Sequence, residues 1–168
     1  MIGVGSTAIG ASALIGSGAF SFVRAERDIT VEVADDGDAY LGLEGTSAYA
    51  EEDDGQLALD FAGGFDDQNG EGLNADADSR FDDVFKIKNN GTNDARISFH
   101  DEEGEVGYDS SGATWYYSED GGWEDNEVNA DNPVIGAGES LYIHVIFWLT
   151  ENDEGDLPDH LGIVAEEP

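Results

Sequence analysis

Asn74-Ala75-Asp76-Ala77-Asp78 sets three oxygen-bearing side chains at alternate positions, the spacing with which an EF-hand loop begins to wrap calcium. The pattern then stops. Its sixth position is Ser79 where a glycine makes the sharp turn, and its twelfth is Phe85 where a bidentate glutamate closes the shell. Asn74, Asp76 and Asp78 therefore form a partial calcium set, and a solvated acidic loop is the simpler account of them. Asp66-Asp67-Gln68-Asn69-Gly70-Glu71 is oxygen-rich in the same unspecific way.

Other chemistry fares no better. His100, His144 and His160 lie far apart in the sequence, without HExxH or any other metal-ligand spacing. His144 sits inside an apolar run, where a hydrogen-bonded structural histidine is expected. There is no GxSxG elbow, and the glycine-rich stretches lack the spacing of a phosphate loop. Carboxylate pairs are too plentiful to single out an acid and a base, so a hydrolase has no motif behind it. The sequence is read as non-enzymatic, with no catalytic residue, no metal site and no cofactor, calcium apart. Asn90-Gly91-Thr92 is the one N-x-Ser/Thr sequon, a glycosylation acceptor in an exported chain and an Asn-Gly turn in any case. Trp115, Trp123 and the nearby tyrosines offer a sugar-stacking platform, against the commoner fate of aromatics buried in a sandwich.

The elements that must position these residues read as short strands. Ile29, Val31 and Val33 alternate with Thr30 and Glu32, the period of a half-buried strand. Tyr40, Leu41 and Leu43 follow the Asp35–Asp38 turn, and Leu57, Leu59 and Phe61 alternate again. Phe81, Val84, Phe85 and Ile87 lead into Asn89-Asn90-Gly91, with Ile97 and Phe99 beyond, which predicts a hairpin across that turn. Trp115–Tyr117 makes an aromatic strand. Ser140–Thr150, rich in β-branched and aromatic residues, reads as a central strand, and Leu161–Val164 supplies the last. A short helix is possible only over Ala75–Phe85, and Glu119–Asn132 reads as an exposed insertion. About eight or nine strands at this spacing predict an all-β fold, a β-sandwich or jelly roll.

The 39 Asp and Glu against 6 Lys and Arg leave a net charge of −33, spread along the chain. Such a coat strains a compact fold in dilute salt. At molar salt the screening length is about 3 Å and most of the repulsion vanishes. The 3 Trp, 6 Tyr and 8 Phe argue against a disordered tail. Six scattered cations make no nucleic-acid footprint, and the charge opposes docking on anionic lipid. The absence of cysteine rules out disulfide and thiolate chemistry.

No charged side chain occurs from Met1 to Val23, although 27% of the chain is charged. That apolar, small-residue stretch predicts a secretory leader, with Ser17-Gly18-Ala19 or Val23-Arg24-Ala25 as cleavage sites. The basic opening of such a leader is missing, which suggests a true start further upstream; retention as a membrane anchor is the rival reading.

Several stretches carry a resemblance: Gly16–Phe20, Asp28–Val33, Ala39-Tyr40-Leu41-Gly42-Leu43, Gly72–Ala75, Phe81–Gly91 and Ile135–Ser140. In these the chain resembles secreted haloarchaeal proteins of an uncharacterised family. More distantly it is similar to the camelysin/TasA fibre proteins of biofilm matrices and to archaeal bundling-pilus subunits. The resemblance implies a jelly-roll-like sandwich that polymerises by donor-strand exchange, with Phe20, Phe22, Ile29, Val31 and Val33 as the strand given to the next subunit. The expected organisation is a leader over 1–19, a donor-strand segment over 20–34 and a β-sandwich over 35–168. The expected function is a structural subunit of a cell-surface filament, pilus or matrix in a halophile. That subunit would be extracellular, self-assembling into a homopolymer and touching membrane only through its leader during export. The alternative is a monomeric, surface-displayed module binding calcium or glycan.

Overall fold

Alternating apolar residues become strands with their apolar positions turned inward. The computed structural model describes residues 28–34, 41–53, 56–61, 73, 77–100, 112–149, 157–158 and 160–168. In chain order the elements are β1 (Asp28–Ala34), β2 (Leu41–Gly45), β3 (Ala50–Asp53), β4 (Gln56–Asp60), β5 (Ser79–Asn89) and β6 (Ala95–His100). There follow β7 (Ala113–Ser118), α1 (Val128–Asp131), β8 (Val134–Ile135), β9 (Ser140–Phe147) and β10 (His160–Glu166). They form two sheets, a six-stranded one in the order β3-β4-β1-β10-β6-β8 and a four-stranded one in the order β2-β5-β9-β7. The fold is an all-β sandwich, as the alternation predicts.

Ile29, Val31, Leu57, Leu59, Phe99 and Ile163 face inward from the larger sheet, and Phe85, Ile87, Trp115, Ile143, Val145 and Phe147 from the smaller. Each fully buried side chain of this size contributes about 1.5–3 kcal/mol. Trp115 is 2% exposed and wedged edge-on between Phe85 and Phe99, at 6.3 and 5.9 Å between ring centroids. It is a core residue and no part of a sugar platform. At one end Phe61 packs on Phe81 and Phe147 at 4.8 and 4.9 Å, closing the sandwich with rings.

β1 lies inside the larger sheet. It runs antiparallel to β4 and parallel to β10, with Ile29 opposite Leu59 and Val31 opposite Leu161. That join to β10 is the one parallel pairing among the described ladders. β9 is central in the smaller sheet, between β5 and β7, as its composition predicts.

Three local expectations are corrected. β5 and β6 do not form a hairpin, because they belong to different sheets and the turn between them crosses from one layer to the other. The alternation is the same for a hairpin or a crossing, and non-local bonds decide. Buried Asn89 donates from Nδ2 to the Asn93 and Ile135 carbonyls at 2.7 and 2.9 Å, and its backbone N–H donates to the Glu139 carbonyl at 3.0 Å. Nor is there a helix reaching Phe85. The ladder slips between Phe81 and Phe85, with Asp83 left-handed at φ 53°, so that neighbours Val84 and Phe85 are both buried. This bulge gives a strand an irregular spacing that imitates a helical turn. Finally, the 119–132 segment is exposed in part and not throughout. Val128 on α1 is fully buried, and α1 packs on β6 and β7.

Two strands escape sequence reading, β3 and β8. Both are edge strands. β3 carries exposed Glu51 and Glu52, and β8 is two residues long. Charge and brevity protect such edges from pairing with other chains, and they also erase the alternation.

Candidate functional site

The densest polar arrangement lies on the outward face of the four-stranded sheet. Since Ile143 and Val145 face the core, His144 between them points outward, yet it is 0% exposed. The 119–127 strap covers it. Trp123 stands edge-on to the His144 ring at 5.7 Å and packs against Tyr116 at 4.9 Å. The Arg80 guanidinium lies over the Trp123 ring at 4.6 Å, held by Asp82 through Nε at 2.9 Å. The strap returns along the outer edge of β7, where the Tyr117 N–H donates to the Asn126 carbonyl at 2.9 Å and Tyr116 bridges Glu127.

Beneath Trp123 the serine, histidine and aspartate of a nucleophilic triad come together, but their bonds run the wrong way. The backbone N–H of Asp83 donates to His144 Nδ1 at 2.7 Å. Nδ1 is then an acceptor, so the ring proton of the neutral imidazole sits on Nε2 and points at Ser118 Oγ, 2.9 Å away. A general base needs a free lone pair at that nitrogen. Ser118 is itself fully buried. These bonds tie β9 to β5 and β7, and Nε2 offers Ser118 no lone pair. Burial holds the His144 pKa below the ordinary imidazole value, with the Asp82 and Asp83 charges pulling it the other way. Asp83 Oδ1 is buried with no hydrogen-bond partner among the described residues, under the Gly121 turn at φ +81°.

The residues singled out from sequence scatter across the molecule. Asn74 and Asp76 lie outside the described residues, and Asp78 is exposed just before β5. Among the described residues no three His, Asp or Glu side chains assemble into a metal-holding group. Ile29 and Val31 are each 1% exposed within this chain's own sheet. Val33 belongs to β1 by its backbone, opposite Ile163, whereas Phe20 and Phe22 lie outside the described residues. Asn90 and Thr92 are exposed on the crossing turn, which Asn89 clamps from below by accepting the Gly91 N–H on Oδ1 at 2.9 Å.

Sequence reasoning missed the strap site, and one signal for it was present. Arg80, Lys86 and Lys88 are half of the six cations, packed into nine residues of one strand. Lys86 and Glu44 pair across β5 and β2 at 2.7 Å on the same outward face.

Among the described residues no helix is long and apolar enough to cross a membrane. No protein-family model, no curated protein and no solved structure matches this chain.

Proposed function

We propose that the chain is a non-enzymatic structural subunit of an assembly on the outside of a cell living in concentrated salt, built by passing β1 of one copy into the sandwich of the next. The observation that carries this reading is the seat of β1. It is an inserted strand, between β4 and β10, neither of which is its neighbour in sequence. An identical strand from another copy meets the same backbone partners on both sides and the same pockets for Ile29 and Val31.

Three of the four sheet edges, those of β7, β8 and β3, disfavour simple side-by-side addition, and β2 is the fourth. The strap covers β7. Outside β6, β8 is continued by the Pro133 carbonyl, which accepts from Ile97 N–H at 2.8 Å, and by Asn129 Oδ1, which accepts from Phe99 N–H at 2.9 Å. β3 presents acids. In molar salt the charge of −33 is screened within about 3 Å, so neighbouring copies tolerate each other. Asn90, displayed on a clamped turn, is proposed to carry a glycan, and mass spectrometry of the native protein reads this directly.

The test is complementation in trans. A chain beginning at Asp35 leaves Leu57, Leu59, Leu161 and Ile163 uncovered and is expected to aggregate rather than persist as a soluble domain. Adding a peptide spanning Asp28–Ala34 during refolding in molar salt should recover a soluble one-to-one complex with the native β spectrum. A shortened chain that folds alone and ignores the peptide refutes the reading.

A further inference from the structure

The turn that crosses between the layers contains two residues able to react with each other, Asn90 and Gly91. In an Asn-Gly pair the glycine backbone nitrogen can attack the asparagine Cγ, because no side chain on the glycine hinders the approach. A bond forms between Gly91 N and Asn90 Cγ, and the Cγ–Nδ2 bond breaks. Nδ2 leaves as ammonia, taking up the proton that Gly91 N gives away. Water then opens the five-membered succinimide to an aspartyl or isoaspartyl residue, with nothing oxidised or reduced. The isoaspartyl product adds a carbon to the main chain at the point where the layers cross, and either product adds a negative charge.

In this fold the two reacting groups are held apart. Asn89 is 1% exposed and turned inward, and its Oδ1 accepts the Gly91 N–H at 2.9 Å. That oxygen cannot follow the glycine. Asn89 Nδ2 is fixed on the Asn93 and Ile135 carbonyls, its backbone N–H donates to the Glu139 carbonyl, and its own carbonyl accepts the Gly138 N–H. Asn90 is exposed, with its Nδ2 laid against Gly42 of β2, 2.7 Å from where a Cβ would stand. Attack needs the reacting atoms aligned at about 3–3.5 Å. The electron pair that attacks lies along the former N–H direction and faces Asn89 Oδ1, an acceptor that stabilises the N–H and repels the anion. We propose that Asn90-Gly91 is a latent succinimide-forming site that Asn89 and Gly42 hold shut, so that Asn90 converts only through local opening of this turn. The guard preserves the amide to which a glycan would be joined, but the inference does not depend on a glycan or on the proposed assembly.

The full chain, bearing no sugar, is incubated at mildly alkaline pH, where the Gly91 nitrogen loses its proton more readily. One sample is folded in molar sodium chloride and the other is unfolded in guanidinium chloride. Peptide mapping by mass spectrometry follows the aspartyl and isoaspartyl products at position 90. Asn90 should convert at least about tenfold more slowly in the folded chain than in the unfolded one. Gly42→Ala sets a methyl group against the end of a flexible side chain, so the fold should survive by circular dichroism while the Asn90 amide is displaced. Conversion in that variant should be roughly 2–5-fold faster than in the natural folded chain. If the variant is perturbed, hydrogen exchange at the Gly91 N–H of the natural chain is the second measurement, with protection expected. Equal rates at Asn90 in the folded and unfolded chains, a folded Gly42→Ala chain that converts no faster, or an unprotected Gly91 N–H overturns the proposal.

Discussion

β1 and β9 are each central in a sheet, and each carries inward side chains with almost no exposure. They are held very differently. β9 pairs antiparallel on both sides, along the 11-residue β5 and along β7. Its outward face is also locked, because His144 is tied to Asp83 and Ser118 under Trp123. β1 is shorter, is joined to β10 by the one parallel ladder described, and leaves Thr30 half-buried on its outward face. Burial alone thus says little about whether a strand can be exchanged. What differs is the number of directions from which it is gripped.

The largest expected effect comes from placing a charge in either strand. Val31→Asp and Val145→Asp each bury an unpaired carboxylate beside apolar neighbours and should cost at least about 4 kcal/mol in urea unfolding, enough to abolish folding in dilute salt. The comparison is sharpened by rescue. Added wild-type β1 peptide should restore the Val31→Asp chain, and a β9 peptide should do nothing for Val145→Asp. Equal rescue of both, or of neither, breaks the distinction.

A middle-sized effect belongs to the lock on β9. His144→Ala strands the Asp83 N–H and the Ser118 hydroxyl in a buried place and should cost about 2–4 kcal/mol. The same histidine sets a pH dependence. Its folded pKa is depressed by burial, so the unfolded chain takes up the proton first. The stability it contributes is complete above the ordinary imidazole value of about 6.5 and is lost as pH falls from there through the lowered folded value. Trp fluorescence melts should show this loss in the natural chain and not in His144→Gln, which separates it from titration of the many carboxylates.

The smallest effect is at the sealed edge. Asn129→Ala removes the acceptor for Phe99 N–H and should cost about 1 kcal/mol, with faster aggregation as the second sign. If aggregation is unchanged, that edge needs no seal.

Most of the fold was legible in the sequence, because strands with one face in the core write a period of two. The exceptions have specific causes. β3 and β8 are edges, where charge or brevity replaces the pattern. The layer change after Asn89 depends on acceptors at Ile135 and Glu139, far along the chain. The candidate sites were less legible. Spacing could not place His100 beside His160, whose rings stand 6.5 Å apart, since sheet pairing joins residues at separations that no local motif predicts. His144 was foreseen as a satisfied structural histidine, but its serine and aspartate partners come from other strands.

The most direct test uses the absence of native cysteine. Thr30 on β1 and Ala58 on β4 are register partners on the outward face, both half-buried, so Thr30→Cys with Ala58→Cys brings two thiols together without touching the core. Material assembled in molar salt is oxidised and run under denaturing conditions. Strand exchange between copies predicts a ladder of covalently linked multimers. A single band of internally bridged monomer, from material that is nonetheless polymeric, would contradict the account.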